Sequence, residues 1–174
     1  MAELISYIAS GITLILGMIE PFNKKMKVIL IYNFIGNFLV SLSYLLVSSY
    51  SGAGICAIAC IQLIINYIYE ARGEKVPYWV IALYALSFVG VNALSFAHWY
   101  DAFSLVAALC FVFGMAQKNP SIYRILYVCN STLWIVYDVF AGAYGNLVTH
   151  VTLFAATLIA ILIRDVKGKK QVNK

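Results

Sequence analysis

The chain has 174 residues, of which 63% are hydrophobic and only 11% charged, with a net charge of +5 and a mean hydropathy of +0.89. Soluble domains carry roughly twice that share of charge, so the composition excludes an ordinary soluble protein and points to a multi-span membrane protein. The positive balance does not indicate nucleic acid, because the basic residues fall in short clusters between apolar spans instead of on one soluble face.

Hydropathy predicts seven apolar segments, roughly 4–19, 28–48, 52–69, 78–97, 102–116, 121–141 and 146–163. Several are short for a hydrocarbon core about 30 Å thick. Flanking Tyr, Trp and Lys can extend them by snorkelling, and the bilayer can thin locally. Backbone exposed to lipid must bond within its own helix, so the segments are read as helices. The first span follows Glu3 instead of a basic stretch and has no small-x-small cleavage pattern, unlike a removable signal peptide. All twelve Lys and Arg fall in the first, third and fifth loops, at their edges or in the C-terminal tail. With seven spans these regions share one side, which the positive-inside rule makes cytoplasmic, with the N-terminus outside.

In chain order, the first span carries Ser6, Ser10, Thr13 and Gly17 on one face, a spacing suited to close helix packing or to lining a pore. Glu20-Pro21-Phe22-Asn23-Lys24-Lys25 is the first cytoplasmic turn. The second span carries Asn33, Asn37, Ser41, Tyr44 and Ser48 on one stripe and enters the third through a short outer turn, Ser49 to Gly52. Gln62 and Asn66 lie toward the cytoplasmic end of the third span, as interhelical bonds or an inner gate. The fourth span, between Trp79 and Trp99, has only Asn92 as a strongly polar group and reads as a linker, and His98 as a wet loop histidine. Cys56, Cys60, Cys110 and Cys129 fall inside spans without zinc or disulfide spacing and read as small packing residues.

Spans five to seven repeat spans one to three. Gly17-Met18 matches Gly114-Met115, and Asn37, Tyr44 and Tyr50 match Asn130, Tyr137 and Tyr144 at an offset of 93 that becomes 94. The expected fold is an all-α membrane protein with seven transmembrane helices, built as two parallel three-helix bundles joined by a linker helix. Its parts are a first bundle at 1–74, the linker helix at 75–100, a second bundle at 101–166 and a basic cytoplasmic tail at 167–174.

The richest stretch is Asn130 to His150. Asn130, Trp134, Tyr137 and Asp138 share one helix face at i, i+4, i+7 and i+8. After a small-residue turn, Asn146, Thr149, His150 and Thr157 form a second polar stripe. Asp138 and His150 are the only ionisable side chains within spans and away from their ends. A carboxylate at mid-bilayer costs about 2.5–3.5 kcal/mol on insertion scales, so such a group faces a bundle interior or a wet cavity. Both lie about one turn from the outer turn, which puts them at similar depth and predicts a direct or water-bridged contact. That pair reads as a polar latch between helices, a substrate contact or a proton-coupling pair. Asn37 and Asn130 correspond across the repeat and read as cavity lining or interhelical bonds, and Trp134 offers a face for a sugar ring or heterocycle.

The arrangement of three helices, linker and three helices resembles the SWEET sugar transporters, and one triplet resembles the half-size SemiSWEETs and the PQ-loop transporters. Trp134-Ile135-Val136-Tyr137 looks like the Trp-Leu-x-Tyr run of their middle helix. In SemiSWEETs a binding asparagine follows that tryptophan by roughly four to five helical turns. His150 holds that place here, so the resemblance implies Trp134 and His150 as a substrate pair. The Pro-Gln dipeptide is absent, Ser41 and Cys56 stand where the second triplet has Trp134 and His150, and Asp138 replaces the usual glycine. Most of the chain also resembles the YgjV-type bacterial inner-membrane proteins, through Phe22-Asn23, Ser51-Gly52-Ala53-Gly54 and Trp134 with Ala141 to Gly145.

No HExxH, P-loop, GxSxG or metal-ligand cluster is present in the sequence, so neither an enzyme nor a cofactor is expected. The expected function is a small-solute transporter or facilitator for a sugar-, nucleoside- or vitamin-like substrate. It would work by alternating access at a midplane site between the triplets, with Asn37, Asn130, Trp134, Tyr137 and His150 as substrate contacts. The alternative is a non-transporting scaffold, subunit or sensor. Expected partners are the solute and membrane lipids, not nucleic acid. Two triplets make a monomer sufficient without forbidding an oligomer, and the expected location is the bacterial inner membrane.

Overall fold

The computed structural model describes residues 2–46, 50–96, 98–141 and 144–167, with side chains at 11–42, 56–94, 96, 98–140 and 147–166. Among these the chain forms seven α-helices and no strand: α1 (Ala2–Ile19), α2 (Met26–Leu46), α3 (Tyr50–Arg72), α4 (Tyr78–Ser95), α5 (Asp101–Met115), α6 (Pro120–Ala141) and α7 (Tyr144–Ala160). All seven predicted segments are helices, though α3 runs on to Arg72 and α7 continues as a π-helical stretch, Ile161–Lys167. Among the described residues one stretch, Leu147–Val166, is long and apolar enough to cross a membrane, and Gly11–Phe22, Met26–Leu42, Tyr78–Leu94 and Asp101–Met115 are shorter apolar helices. The expected tail at 168–174 and positions 47–49 and 142–143 of the outer turns lie outside the described residues. The side chains of Ser6, Ser10, Tyr44, Ser48 to Gly54, Ala141, Tyr144 and Asn146 do too.

The chain divides into two compact units, Met1–Glu74 and Lys75–Lys174. In the first, α1 ends where Pro21 enters the 3₁₀ turn Glu20–Phe22. Asn23 closes this end by donating its side-chain amide to the carbonyls of Ile19 (3.3 Å) and Glu20 (3.2 Å). Such bonds satisfy carbonyls that the helix leaves open. α1 and α2 approach at Gly36, where an added Cβ would stand 3.4 Å from Thr13 Cγ2. α3 stops at Gly73, whose φ of +75° an L side chain disfavours. The Glu74 N–H then reaches Tyr69 O at 2.9 Å and the Gly73 N–H reaches Glu70 O at 3.2 Å, the double closure of a Schellman end. Met26, Ile29 and Leu30 of α2 and Ala59, Cys60 and Leu63 of α3 are buried, and the two helices pack together.

Polar groups are buried in the same unit: Glu20, Asn33, Gln62 and Asn66. Glu20 is 2% exposed, and burial pushes its carboxyl from the ordinary 4.5 up to about 8, against the lowering effect of a hydrogen bond from the Asn33 side chain. Desolvation disfavours the charged form, and the hydrogen bond from Asn33 offsets only part of it.

In the second unit, Pro77 opens α4, which is tied to α5 by a 3.0 Å bond from Ser104 Oγ to Asn92 Oδ1. α6 starts with Asn119 as cap, its Oδ1 accepting the Ser121 N–H at 2.9 Å, and Pro120 in the first helical position. Asn130 Nδ2 donates to Ala107 O at 2.7 Å and joins α6 to α5. At the other end of α7, the π-helical stretch changes the helical phase, and its Asp165 Oδ1 accepts Arg124 Nη1 and Ser121 Oγ, each at 2.7 Å. Arg124 is 2% exposed and Asp165 17%. Removing one partner of such a pair strands a charge, so the bond fixes where the chain leaves α7.

Glu20 generates a pH prediction. Its folded-state value lies above its unfolded value, so the stability it contributes is complete below about pH 4.5 and is lost as pH rises through about 8. Unfolding of the purified protein in detergent should show falling stability across that window. Glu20→Gln should flatten the profile and stabilise the protein above pH 8 by on the order of a few kcal/mol. A profile unchanged by the substitution counts against a neutral, buried Glu20.

Candidate functional site

The second unit gathers four of the predicted site residues. Helix periodicity puts Trp134 and Asp138 one turn apart on α6, and His150 reaches them from α7. His150 Nδ1 lies 2.7 Å from Asp138 Oδ2. The His150 ring stacks on the Trp134 indole, with centroids 5.4 Å apart and planes 13° from parallel. Tyr137 meets the same indole edge-on at 5.4 Å and 90°. Tyr100, just before α5, lies 5.8 Å from Tyr137. The expected Asp138–His150 contact is therefore direct.

The two partners differ in exposure. The Asp138 side chain is 1% exposed and the His150 side chain 23%. Asp138 Oδ1 has no hydrogen-bond partner among the described residues. A buried carboxylate with one oxygen bonded and one idle holds desolvation cost in reserve, to be relieved by a proton, a water or a donor from a ligand. With the proton on Nδ1, His150 donates to Asp138 and its Nε2 is an acceptor; with both nitrogens protonated the contact becomes an ion pair. The indole stacked on the imidazole fixes the ring plane, so Asp138 and Trp134 together orient His150.

The amides are placed differently. Asn130 is buried and donates to Ala107 O. Asn37 belongs to the first unit and donates to Asn33 O, four residues back on its own helix, at 2.9 Å. Thr157, on the polar stripe of α7, is buried and bonds Leu153 O at 2.8 Å. His98 is exposed, stacks on Tyr100 at 4.9 Å, and its backbone N–H donates to Asp101 Oδ2 at 2.7 Å. Two features are not legible from span hydropathy. Glu20 reads as a loop acid and is buried, and Arg124 and Asp165 read as cytoplasmic charges and are paired. The one available signal for the second is spacing: Ser121 and Arg124 lie on one helix face, at i and i+3.

Large aliphatic side chains face outward along the helices, among them Ile15, Ile61, Leu86 and Val148. Apolar helices with such outward faces define an α-helical membrane protein, since water does not tolerate so much continuous apolar surface. The chain belongs to the Imp-YgjV family, described as bacterial inner membrane protein, whose family model matches residues 1–167. No curated protein and no solved structure matches it.

The asymmetric burial of the pair predicts asymmetric mutant effects. His150→Ala leaves the Asp138 carboxylate buried with neither oxygen bonded and should cost about 3–5 kcal/mol of stability in detergent. Asp138→Asn keeps an acceptor for Nδ1–H and should cost less. Combining Asp138→Asn with His150→Ala should recover part of the loss. Additive losses in this cycle would mean that the two side chains act independently.

Proposed function

We propose that the protein is a small-solute transporter or facilitator of the inner membrane, in which the Trp134–His150–Asp138 group meets the solute. In this reading all seven helices cross the bilayer, the N-terminus is outside, the C-terminus is cytoplasmic, and the two triplets are parallel repeats. Alternating exposure of the site to the two sides moves a sugar-, nucleoside- or vitamin-like solute, and no cofactor or enzymatic step is involved. The carrying observation is the direct bond between a buried carboxylate and a partly exposed imidazole, itself stacked on an indole. A helix-to-helix latch needs neither the indole nor the exposure. A ring-bearing or hydroxyl-bearing solute can use both, by stacking and by bonding Nε2. Tyr137 supports the indole edge-on, and Asn130 holds α6 against α5 behind the site.

Lipid contacts fit the outward faces. An open apolar groove of about 250 Å³ in the first unit, lined by Leu30, Ile31, Phe34, Leu63, Ile64 and Tyr67, suits an acyl chain. A monomer is sufficient in this reading. The rival reading, a non-transporting scaffold, subunit or sensor, draws support from the amides, because Asn37 and Asn130 both donate to backbone carbonyls.

Proteoliposomes containing the purified protein should take up at least one member of a labelled panel of sugars, nucleosides and vitamins. Trp134→Ala should cut that uptake by about tenfold or more, equivalent to roughly 1.4 kcal/mol or more of lost interaction, while the protein stays folded in detergent. A panel with no uptake favours the scaffold. Uptake that Trp134→Ala leaves intact moves the site elsewhere.

A further inference from the structure

The charge distribution of the second unit specifies what the site selects. No Lys or Arg occurs at positions 76–117 or 125–163, whereas Asp101 and Asp138 both do. The nearby cations Lys118, Arg124 and Arg164 flank the opposite helix ends, and Arg124 is already bound to Asp165. Tyr137 lies within electrostatic reach of both Asp101 and Asp138. The rings of Trp134, Tyr137 and Tyr100 follow one another edge to face. Asp138 is held by an imidazole instead of a Lys or Arg, so with a neutral ring it has no full countercharge, and its Oδ1 has no donor among the described residues.

Resting on the site reading above, we infer that the solute carries a cationic nitrogen on a small apolar or flat body, with the ammonium held by the Asp138 carboxylate and the ring faces of Trp134 and Tyr137. Aromatic faces attract cations through the ring quadrupole, and the attraction grows when water is excluded. The carboxylate acts from behind the His150 ring, where the low-dielectric surroundings screen it little. When the site opens, Oδ1 is a ready acceptor for an N–H donor. A neutral polyol could satisfy that oxygen's hydrogen bonding but not its charge. An anion would face the buried Asp138 carboxylate, with no Lys or Arg at positions 76–117 or 125–163 to hold it.

The test uses the full-length protein in detergent, with thermal shift and equilibrium binding measured for choline and phenethylammonium chlorides. Sodium chloride at matched ionic strength and 3,3-dimethylbutan-1-ol, an uncharged analogue of choline, serve as controls. The expected result is saturable stabilisation by the cations and none by either control. Asp138→Asn should weaken cation binding by about tenfold or more, and so should Trp134→Leu, which keeps the test open should the first variant not fold. Neutral sugars or nucleosides that bind in a Trp134-dependent way, while the cations do not, would overturn the cation inference and leave the transport site standing. Absence of binding by either class would overturn both. Equal cation effects in the wild type and both variants would mark a general salt effect and overturn the inference as well.

Discussion

The bond between Asp138 and His150 is the constraint on which the second unit's chemistry depends. A carboxylate placed in an apolar helix has three ways to become tolerable: it can be neutralised, paired or hydrated. Here it is almost wholly buried and takes one partner at 2.7 Å. That partner's own position is set by the indole stacked on it. The three side chains therefore stand or fall as one device, and each determines the geometry of the next. A lysine in place of His150 would neutralise the carboxylate permanently. An imidazole can instead meet the carboxylate either as a neutral donor or as a charged partner.

The two units solve the same problem differently. Glu20 of the first unit takes a hydrogen bond from the Asn33 side chain, and burial holds it largely protonated at neutral pH. Arg124 of the second unit is equally buried, with Asp165 supplying an opposite charge and Ser121 donating to the same carboxylate oxygen. An arginine has no accessible neutral form, so pairing was the available solution, and the π-helical stretch is where the pairing residue sits. The two units thus differ in how they accommodate a buried ionisable group.

Hydropathy and spacing made the helices legible, because a 3.6-residue period and an apolar run of sufficient length admit few alternatives. The same spacing predicted that Asp138 and His150 would meet, since a short turn between antiparallel helices equalises their depth. What could not be read was burial in the loops and at helix ends. Glu20 stands beside Pro21 and two lysines, a context that normally means solvent, and only packing of α1 and α2 around the turn removes it from water. Asp165 lies in a basic tail, where the run of charge hides its pairing. The π phase that brings it to Arg124 has no hydropathy signature. The Asn130 amide was readable as lining or as a tie, and its bond to Ala107 depends on which neighbour α6 packs against, which periodicity does not specify.

Polarity within spans therefore has to be divided by where each bond goes. Asn33, Asn37, Ser87, Asn92, Thr132, Thr152 and Thr157 each donate to the carbonyl four residues back on their own helix. Such a bond removes a side-chain donor from lipid at little cost and carries no information about a solute. Once these are set aside, Asn37 drops out of the polar stripe of α2 and Thr157 out of that of α7. On α6 and α7 the principal remainder is a carboxylate, an imidazole and the two rings beside them, joined across two helices and only partly covered. Among the described residues, Asn37 and Thr157 are therefore spent on their own helices, whereas Asp138 and His150 bond from one helix to the next, which is what sets that pair apart from ordinary span polarity.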